Sequence, residues 1–469
     1  MAGLERLVAE QGALIEVLQA RVVQLEAELS KHSGNSSMPP SKDANEQRQE
    51  AKQSRAERRA AGRKAGKQPG APGAHLSRRV PDEVREHRPS ACGRCGHDLA
   101  HGEVVGSVTR QVLDVPEVNV NTVEHVAVKV RCDCGHHTTA TFPVEATAAV
   151  CWGPNVRALA VYLSVRQHLP VARAAEVMSE LLGAPVSAGF IVAAQADAGR
   201  RLAGFIAHIK VALTRAKVLH ADETSTRVSA DTWWMHVAAT TLITLLVAHR
   251  RRGREAISEI DVLTAFRGVL VRDGLAVYEN LTDASHAQCG AHLLRHLAAV
   301  GEADVYKQWT KEMTKILLDA KKASESAAVS GRGRVHWRSA RTLRDRYRVV
   351  LDDAFKLLPQ GPPPRGKHRY QWRESQRKAW NLATRLRAHE HEVLRLLDNT
   401  AVPFTNNQAE RDLRMTKLHD KISGTFRSDD HASHFATIRS YIQTGLKHNL
   451  QPATLLRQLF TTGAWLPTT

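Results

Sequence analysis

Lys217-Val218-Leu219-His220-Ala221-Asp222 is an apolar run that ends in a carboxylate. Short apolar runs bounded by polar or turn residues read as buried strands. Outward from it, Asp231 to Thr240 and Leu242 to Ala248 give two more strands in hairpin order, and a helix is expected at about 254–266. Gly268-Val269-Leu270-Val271-Arg272-Asp273-Gly274 is then a further apolar strand that again ends in Asp.

Three strands, a helix and a fourth strand, with Asp222 and Asp273 closing the first and fourth, form the opening of a ribonuclease-H-like fold. A third carboxylate, Glu410, lies on a helix opened by an Asn/Thr cap at Thr405-Asn406-Asn407. Three carboxylates that converge repel one another unless cations stand between them. Mg²⁺, or Mn²⁺ in its place, takes oxygen ligands and suits such a triad. Two such ions support in-line phosphoryl displacement without a protein nucleophile. Arg414, Lys417 and Lys421 follow Glu410 along one helix face, with Arg411 beside it, and suit a phosphodiester backbone. Glu223 points away from Asp222 if the strand continues and is expected outside the metal's immediate ligands.

Charge narrows the partner. The chain has 469 residues and a formal net charge of +18, with 42% hydrophobic and 24% charged residues. That composition excludes global disorder, a collagen and a disulfide-rich secreted scaffold. Residues 31–80 hold twelve basic and four acidic residues, and 306–395 hold twenty-two and nine, whereas 1–30 hold two and five. The excess is therefore an arm and an insertion rather than a general basic coat, and both are expected on double-stranded DNA. Arg63, Lys64 and Lys67 are the arm's candidate phosphate contacts. The charged first thirty residues argue against a signal peptide, and the longest apolar stretch, Val237 to Val247, is too short to span a membrane. A cytoplasmic protein with no membrane partner is expected.

The remaining segments read as binding modules. Leu4, Leu7, Leu14, Leu18, Val22, Leu25 and Leu29 form a coiled-coil seam, so self-association through a leucine zipper is expected. Cys92-x2-Cys95 and Cys132-x-Cys134 flank a Val-rich, β-rich stretch and describe a zinc ribbon, with His136 or His137 open as a substitute ligand. Residues 154–200 read as three short helices broken near Leu169-Pro170 and at Gly183-Ala184-Pro185-Val186-Ser187, a helix-turn-helix-like arrangement. Cys289 and His292 stand at helical spacing. One Cys and one His are too few for a metal, and a packed, hydrogen-bonded pair is expected. Trp309, Trp337, Trp372 and Trp380 lie among basic residues and are read as packing groups before base-stacking ones.

Several stretches together carry a resemblance: Ser33-Gly34-Asn35-Ser36-Ser37-Met38-Pro39-Pro40-Ser41-Lys42-Asp43, Gly66-Lys67-Gln68-Pro69-Gly70, Leu169-Pro170-Val171-Ala172-Arg173, His220-Ala221-Asp222-Glu223-Thr224, Asp273-Gly274 with Tyr278, Cys289-Gly290-Ala291-His292-Leu293-Leu294-Arg295, and Asn407-Gln408-Ala409-Glu410-Arg411-Asp412-Leu413-Arg414. With them the chain resembles, over nearly its whole length, the insertion-sequence-66 family of DDE transposases, the TnpC-like large subunit. The resemblance implies a ribonuclease-H-like core, a divalent metal, DNA strand cleavage and transfer at terminal inverted repeats, small accessory proteins, and Asp222, Asp273 and Glu410 as the triad.

The expected architecture is a multidomain α+β chain: a zipper helix (1–30), a basic arm (31–80), a zinc-ribbon-like domain (81–150), a helical DNA-binding domain (151–210), the first part of a ribonuclease-H-like core (211–305), a basic helical insertion (306–395) and the rest of the core with the Glu410 helix (396–469). Zipper, ribbon and helix-turn-helix alone would instead make a non-catalytic DNA-binding regulator.

Overall fold

The computed structural model describes residues 76–362 and 372–468. The zipper seam and the part of the basic arm that holds Arg63, Lys64 and Lys67 lie outside the described residues. The chain divides into two compact units, with the boundary between Val118 and Asn119.

In the first unit the Cys92 knuckle closes on itself. Cys92 N donates to His97 O at 2.8 Å and Gly96 N to Cys92 O at 2.9 Å, with Gly96 at φ 72°. Only a residue without a Cβ takes that conformation at no steric cost. Ala91 bridges Asp98 beside the turn.

The second unit begins with a small hairpin, β1 (Lys129–Arg131) against β2 (His137–Thr139), and its turn carries Cys132 and Cys134. The Val-rich stretch yields less strand than its composition suggests. Val112, Val115, Val123 and Val126 are all exposed, and none of residues 112–128 is in a strand. β-branched residues raise strand propensity, but a strand needs a partner and a covered face.

Helices α1 (Pro154–Val161), α2 (Val171–Leu182), α3 (Ala188–Arg201) and α4 (Ala203–Thr214) follow, with a π-helical turn at Tyr162–Arg166. The two expected breaks are present. Gly183 ends α2 in the left-handed region, and Ser187 caps α3 by accepting from Phe190 N at 3.1 Å.

The central sheet has five strands: β3 (Val218–Val228), β4 (Asp231–Ala239), β5 (Thr244–His249), β6 (Val269–Arg272) and β7 (Ser285–Gln288), in the order β5-β4-β3-β6-β7. β3, β4 and β5 pair antiparallel, and β6 and β7 add in parallel. The crossover helix α5 is Arg254–Ile260, shorter than expected because Asp261 leaves the helix in a left-handed conformation. β3 also departs from the pattern expected of its sequence. It runs six residues beyond Asp222, because β4 continues to pair with it as far as Val228↔Asp231.

After β7 come α6 (Gly290–Val300) and the insertion: α7 (Asp304–Val329), α8 (Trp337–Leu357), α9 (Glu374–Ala388), α10 (Glu390–Val393) and α11 (Arg395–Asp398). The insertion has its own core, which includes Trp309, Met313, Tyr347 and Leu386. Trp309 is therefore a packing residue, whereas Trp337 is exposed. The chain then returns as α12 (Asn407–Ile422), α13 (Asp429–Lys447) and α14 (Pro452–Thr461). Helices α1–α4, the sheet and α12–α14 share one hydrophobic cluster. α13 covers the open edge of β5: Ser440 Oγ accepts from Leu246 N at 2.8 Å and Thr444 Oγ1 from Thr244 N at 3.1 Å. An uncovered edge would be a template for unwanted pairing.

A buried ion pair ties the insertion to the sheet. Arg272, the last residue of β6, meets Glu392 of α10 at 3.0 Å, both nearly inaccessible. Removing one partner of such a pair strands the other charge. Glu392→Ala should therefore lower unfolding stability by about 3–5 kcal/mol in urea titrations. The double replacement Arg272→Met with Glu392→Leu should recover most of that loss.

Candidate active site

The sheet sets the first two carboxylates side by side. β3 and β6 run parallel with His220 opposite Val271. Two residues further on each chain are Asp222 and Asp273. β6 has ended at Arg272, so Asp273 leaves the sheet at the mouth of the site. Its carboxylate accepts from Leu275 N at 2.9 Å, which fixes the turn. Asp222 Oδ1 accepts from Glu223 N at 2.9 Å.

The third carboxylate arrives through Asn406. This residue is wholly buried, and it occupies the N-cap position of α12 without capping it. Its side chain turns to β3 instead: Nδ2 donates to Ala221 O at 2.8 Å, and Oδ1 meets His220 Nδ1 at 2.9 Å. Its backbone N–H points at Cys289 Sγ, 3.1 Å away, and its carbonyl accepts from Glu410 N at 3.2 Å. The start of α12 is thereby fixed to the two residues that precede Asp222. From there α12 lies along the extended β3. Lys417 Nζ donates to Ser225 O, Thr226 Oγ1 donates to Asp420 Oδ1 at 2.8 Å, and Phe426 N donates to Arg227 O at 3.0 Å. On its inner face Asp412 takes Lys447 and the Thr244 hydroxyl, each at 2.8 Å.

Asp222 lies within electrostatic reach of the other acids. Burial drives the Asp222 carboxyl up to about 7, and the charges of Glu223, Asp273 and Glu410 push the same way. Glu410 Oε1 is buried and has no hydrogen-bond partner. His292 Nδ1 stands 3.7 Å from it and Arg295 Nη2 3.8 Å. A buried carboxylate oxygen with no hydrogen-bond partner is an oxygen donor short of a cation, which a hard divalent ion would satisfy.

Glu223 has a different role. Its side chain is almost inaccessible, accepting from the Tyr278 hydroxyl at 2.6 Å and pairing with Arg252 at 2.8 Å. Burial and the Glu223 charge push the Tyr278 hydroxyl well above its ordinary range, so it stays a donor. Arg385 of α9, in the insertion, feels the charge of Asp273, and a Cβ at Gly274 would lie 2.5 Å from its Nη1.

Of the basic residues read along α12, Arg411, Arg414, Lys417 and Lys421 are all exposed. Lys417 is partly engaged by Ser225 and Asp420. Cys92 and Cys95 lie in the first unit, Cys132 and Cys134 in the second. In each pair backbone N–H groups of the turn point at the first sulfur and lower its thiol pKa. Sequence reasoning did not find Asn406's cross-link, Arg385, or the Arg272–Glu392 pair. Arg272 did leave a signal, a cation closing an otherwise apolar strand.

The site therefore combines Asp222 within β3, Asp273 just past the end of the neighbouring β6, and Glu410 on a helix laid along β3. The family model for the transposase IS66 family matches residues 149–434, a span that contains all three carboxylates. The chain belongs to this family and is a transposase, an enzyme that binds and cuts DNA. A second model, a family of unknown function (DUF6444), matches residues 2–77. No match was found among curated proteins. No helix among the described residues is long and apolar enough to cross a membrane.

Two outcomes follow. Asn406→Ala strips partners from His220 and Ala221 O, and should cost about 2–4 kcal/mol in denaturant unfolding. The raised Asp222 pKa favours the protonated, folded form. Without divalent ions, its contribution to stability should fall from the ordinary carboxylate range up to about pH 7 and then level off. The melting-temperature advantage of Asp222→Asn should grow over that window. A pH-independent difference would contradict this.

Proposed function

We propose that the chain is a metal-dependent DDE transposase with a ribonuclease-H-like core and Asp222, Asp273 and Glu410 as its triad. The observation that carries the reading is the Asp222 carboxyl, driven to about 7 beside Asp273 and Glu410. The strand order β5-β4-β3-β6-β7, antiparallel then parallel, supports the core assignment.

Asp222 and Asp273 would hold Mg²⁺ or Mn²⁺ from the sheet, and Glu410 from the helix. When bound, the ions supply the Lewis acidity that activates a water or a 3′-hydroxyl and stabilises the leaving oxygen. The protein's part is placement. Asn406 keeps Glu410 at the strand, and Leu275 N steadies Asp273. Tyr278 and Arg252 draw Glu223 away, so that it does not compete for the cation. The substrate is double-stranded DNA, first the terminal inverted repeats and then a target. Arg411, Arg414, Lys417 and Lys421, with Arg63, Lys64 and Lys67 of the arm, would contact phosphates. Zn²⁺ bound by the cysteine knuckles, Cys92 with Cys95 and Cys132 with Cys134, is part of this reading, and the N–H groups aimed at the first sulfur of each knuckle support it. Self-association through the zipper and small accessory proteins belong to the same reading.

Asp222→Asn, Asp273→Asn and Glu410→Gln should each reduce cleavage of inverted-repeat DNA by at least about a thousandfold, the several kcal/mol expected of a ligand in such a site. Affinity for the DNA should stay within a few-fold. Near-normal cleavage by any one variant would remove that residue from the triad. Neutralising three basic residues of α12 should flatten the salt dependence of binding, by up to about 0.9 for each phosphate that the helix no longer neutralises.

A further inference from the structure

The first turn of α6 and the first turn of α12 meet beside Glu410. Cys289 and His292 are three residues apart on one face of α6, and Glu410 faces them from α12. Cys289 Sγ, His292 Nδ1 and a Glu410 oxygen all lie within 4.8 Å of one another. The nitrogen-to-oxygen separation is 3.7 Å. That is too long for a hydrogen bond, and it leaves room for a cation between the two atoms, the nitrogen-to-oxygen edge of a tetrahedral zinc site being about 3.3–3.4 Å.

The donors themselves point the same way. The sequence suggested a hydrogen-bonded Cys–His pair, but His292 Nδ1 and Glu410 Oε1 are both buried with no hydrogen-bond partner. Cys289 is buried, and its sulfur accepts from Asn406 N at 3.1 Å, with the N–H groups of Ala291 and His292 also directed at it. Burial pushes the Cys289 thiol up, and the amides aimed at its sulfur offset part of that; a bound cation would supply the rest of what the thiolate needs. The frame is rigid. Gly290 N donates to Phe404 O at 2.8 Å, and a Cβ at Gly290 would meet the Phe404 ring at 2.3 Å.

We propose that Cys289, His292 and Glu410 form a binding site for a zinc-class cation, distinct from the hard-ion triad although it uses the same glutamate. One sulfur, one imidazole nitrogen and one carboxylate oxygen select Zn²⁺ or Co²⁺ over Mg²⁺. Three protein ligands leave a fourth position to water. The site would clamp the starts of α6 and α12 together and hold Glu410 Oε1 in place. It uses Glu410's position but does not require Glu410 to be catalytic.

The test is zinc stoichiometry of the full chain, dialysed against limiting zinc with excess Mg²⁺ and read by elemental analysis. His292→Ala and Cys289→Ser should each hold one zinc fewer per chain than the native protein. Asp222→Asn should hold the same number. His292 is partly exposed, so its replacement is the variant expected to fold, and circular dichroism checks this. A Co²⁺-loaded chain should show a thiolate-to-cobalt charge-transfer band that weakens in His292→Ala. An unchanged zinc count and cobalt spectrum in a folded His292→Ala chain would overturn the proposal. That result would leave the triad untouched, because the triad stands or falls on cleavage by Asp222→Asn.

Discussion

The buried amide of Asn406 is the interaction on which the site depends. Together with the residue's backbone N–H, which donates to Cys289 Sγ, it joins three pieces of chain that are far apart in sequence: the end of the apolar part of β3, the start of α6 and the start of α12. Each bond contributes about 1 kcal/mol net, but a buried group left without its partner costs more than that. The amide therefore specifies position as well as contributing stability. A shift of α12 by one residue would pair none of these groups and would turn Glu410 away from Asp222.

Around that staple the chain collects negative charge in a place poor in water. Burial and neighbouring acids raise the carboxyls of Asp222 and Glu223, the charges of Asp273 and Glu410 adding to the effect at Asp222. Glu223 pairs closely with Arg252 and accepts from Tyr278, whereas Arg295 and His292 stand 3.8 and 3.7 Å from Glu410. Such an arrangement costs stability in the metal-free chain, and the surrounding packing must offset it. The Asp412–Lys447 pair, the α13 cover on β5 and the Arg272–Glu392 pair hold the scaffold in place while the acids repel. The basic surface lies elsewhere, on the exposed face of α12 and on the insertion. This division suits an enzyme that must attract a polyanion without quenching its own carboxylates.

Much of the frame was legible in the sequence. The strand at 217–222, the hairpin after it, the strand ending at Arg272 and the two helix breaks at Pro170 and Gly183 all follow from local patterns, and local patterns are what a sequence exposes. What was not legible depended on partners distant in the chain. The extra length of β3 comes from β4 and α12, which satisfy it. Asn406 has the residue type and position of a helix cap, yet it serves a strand 185 residues away. The valines at 112–126 have strand propensity but no covered face. Cys289 and His292 are too few for a metal by themselves, and the third donor, Glu410, lies 118 residues beyond His292.

The central claim is that Asp222 shares a cation with Asp273 and Glu410, and its raised pKa makes that claim measurable. Mn²⁺ binding to the full chain can be followed by calorimetry at pH 7 in buffers of different ionisation enthalpy, with the zinc-class sites already filled. The account predicts release of a fraction of a proton per cation in the native chain, from Asp222, together with loss of both the release and tight binding in Asp222→Asn. Binding of equal affinity in the two chains, with no proton released, would contradict it.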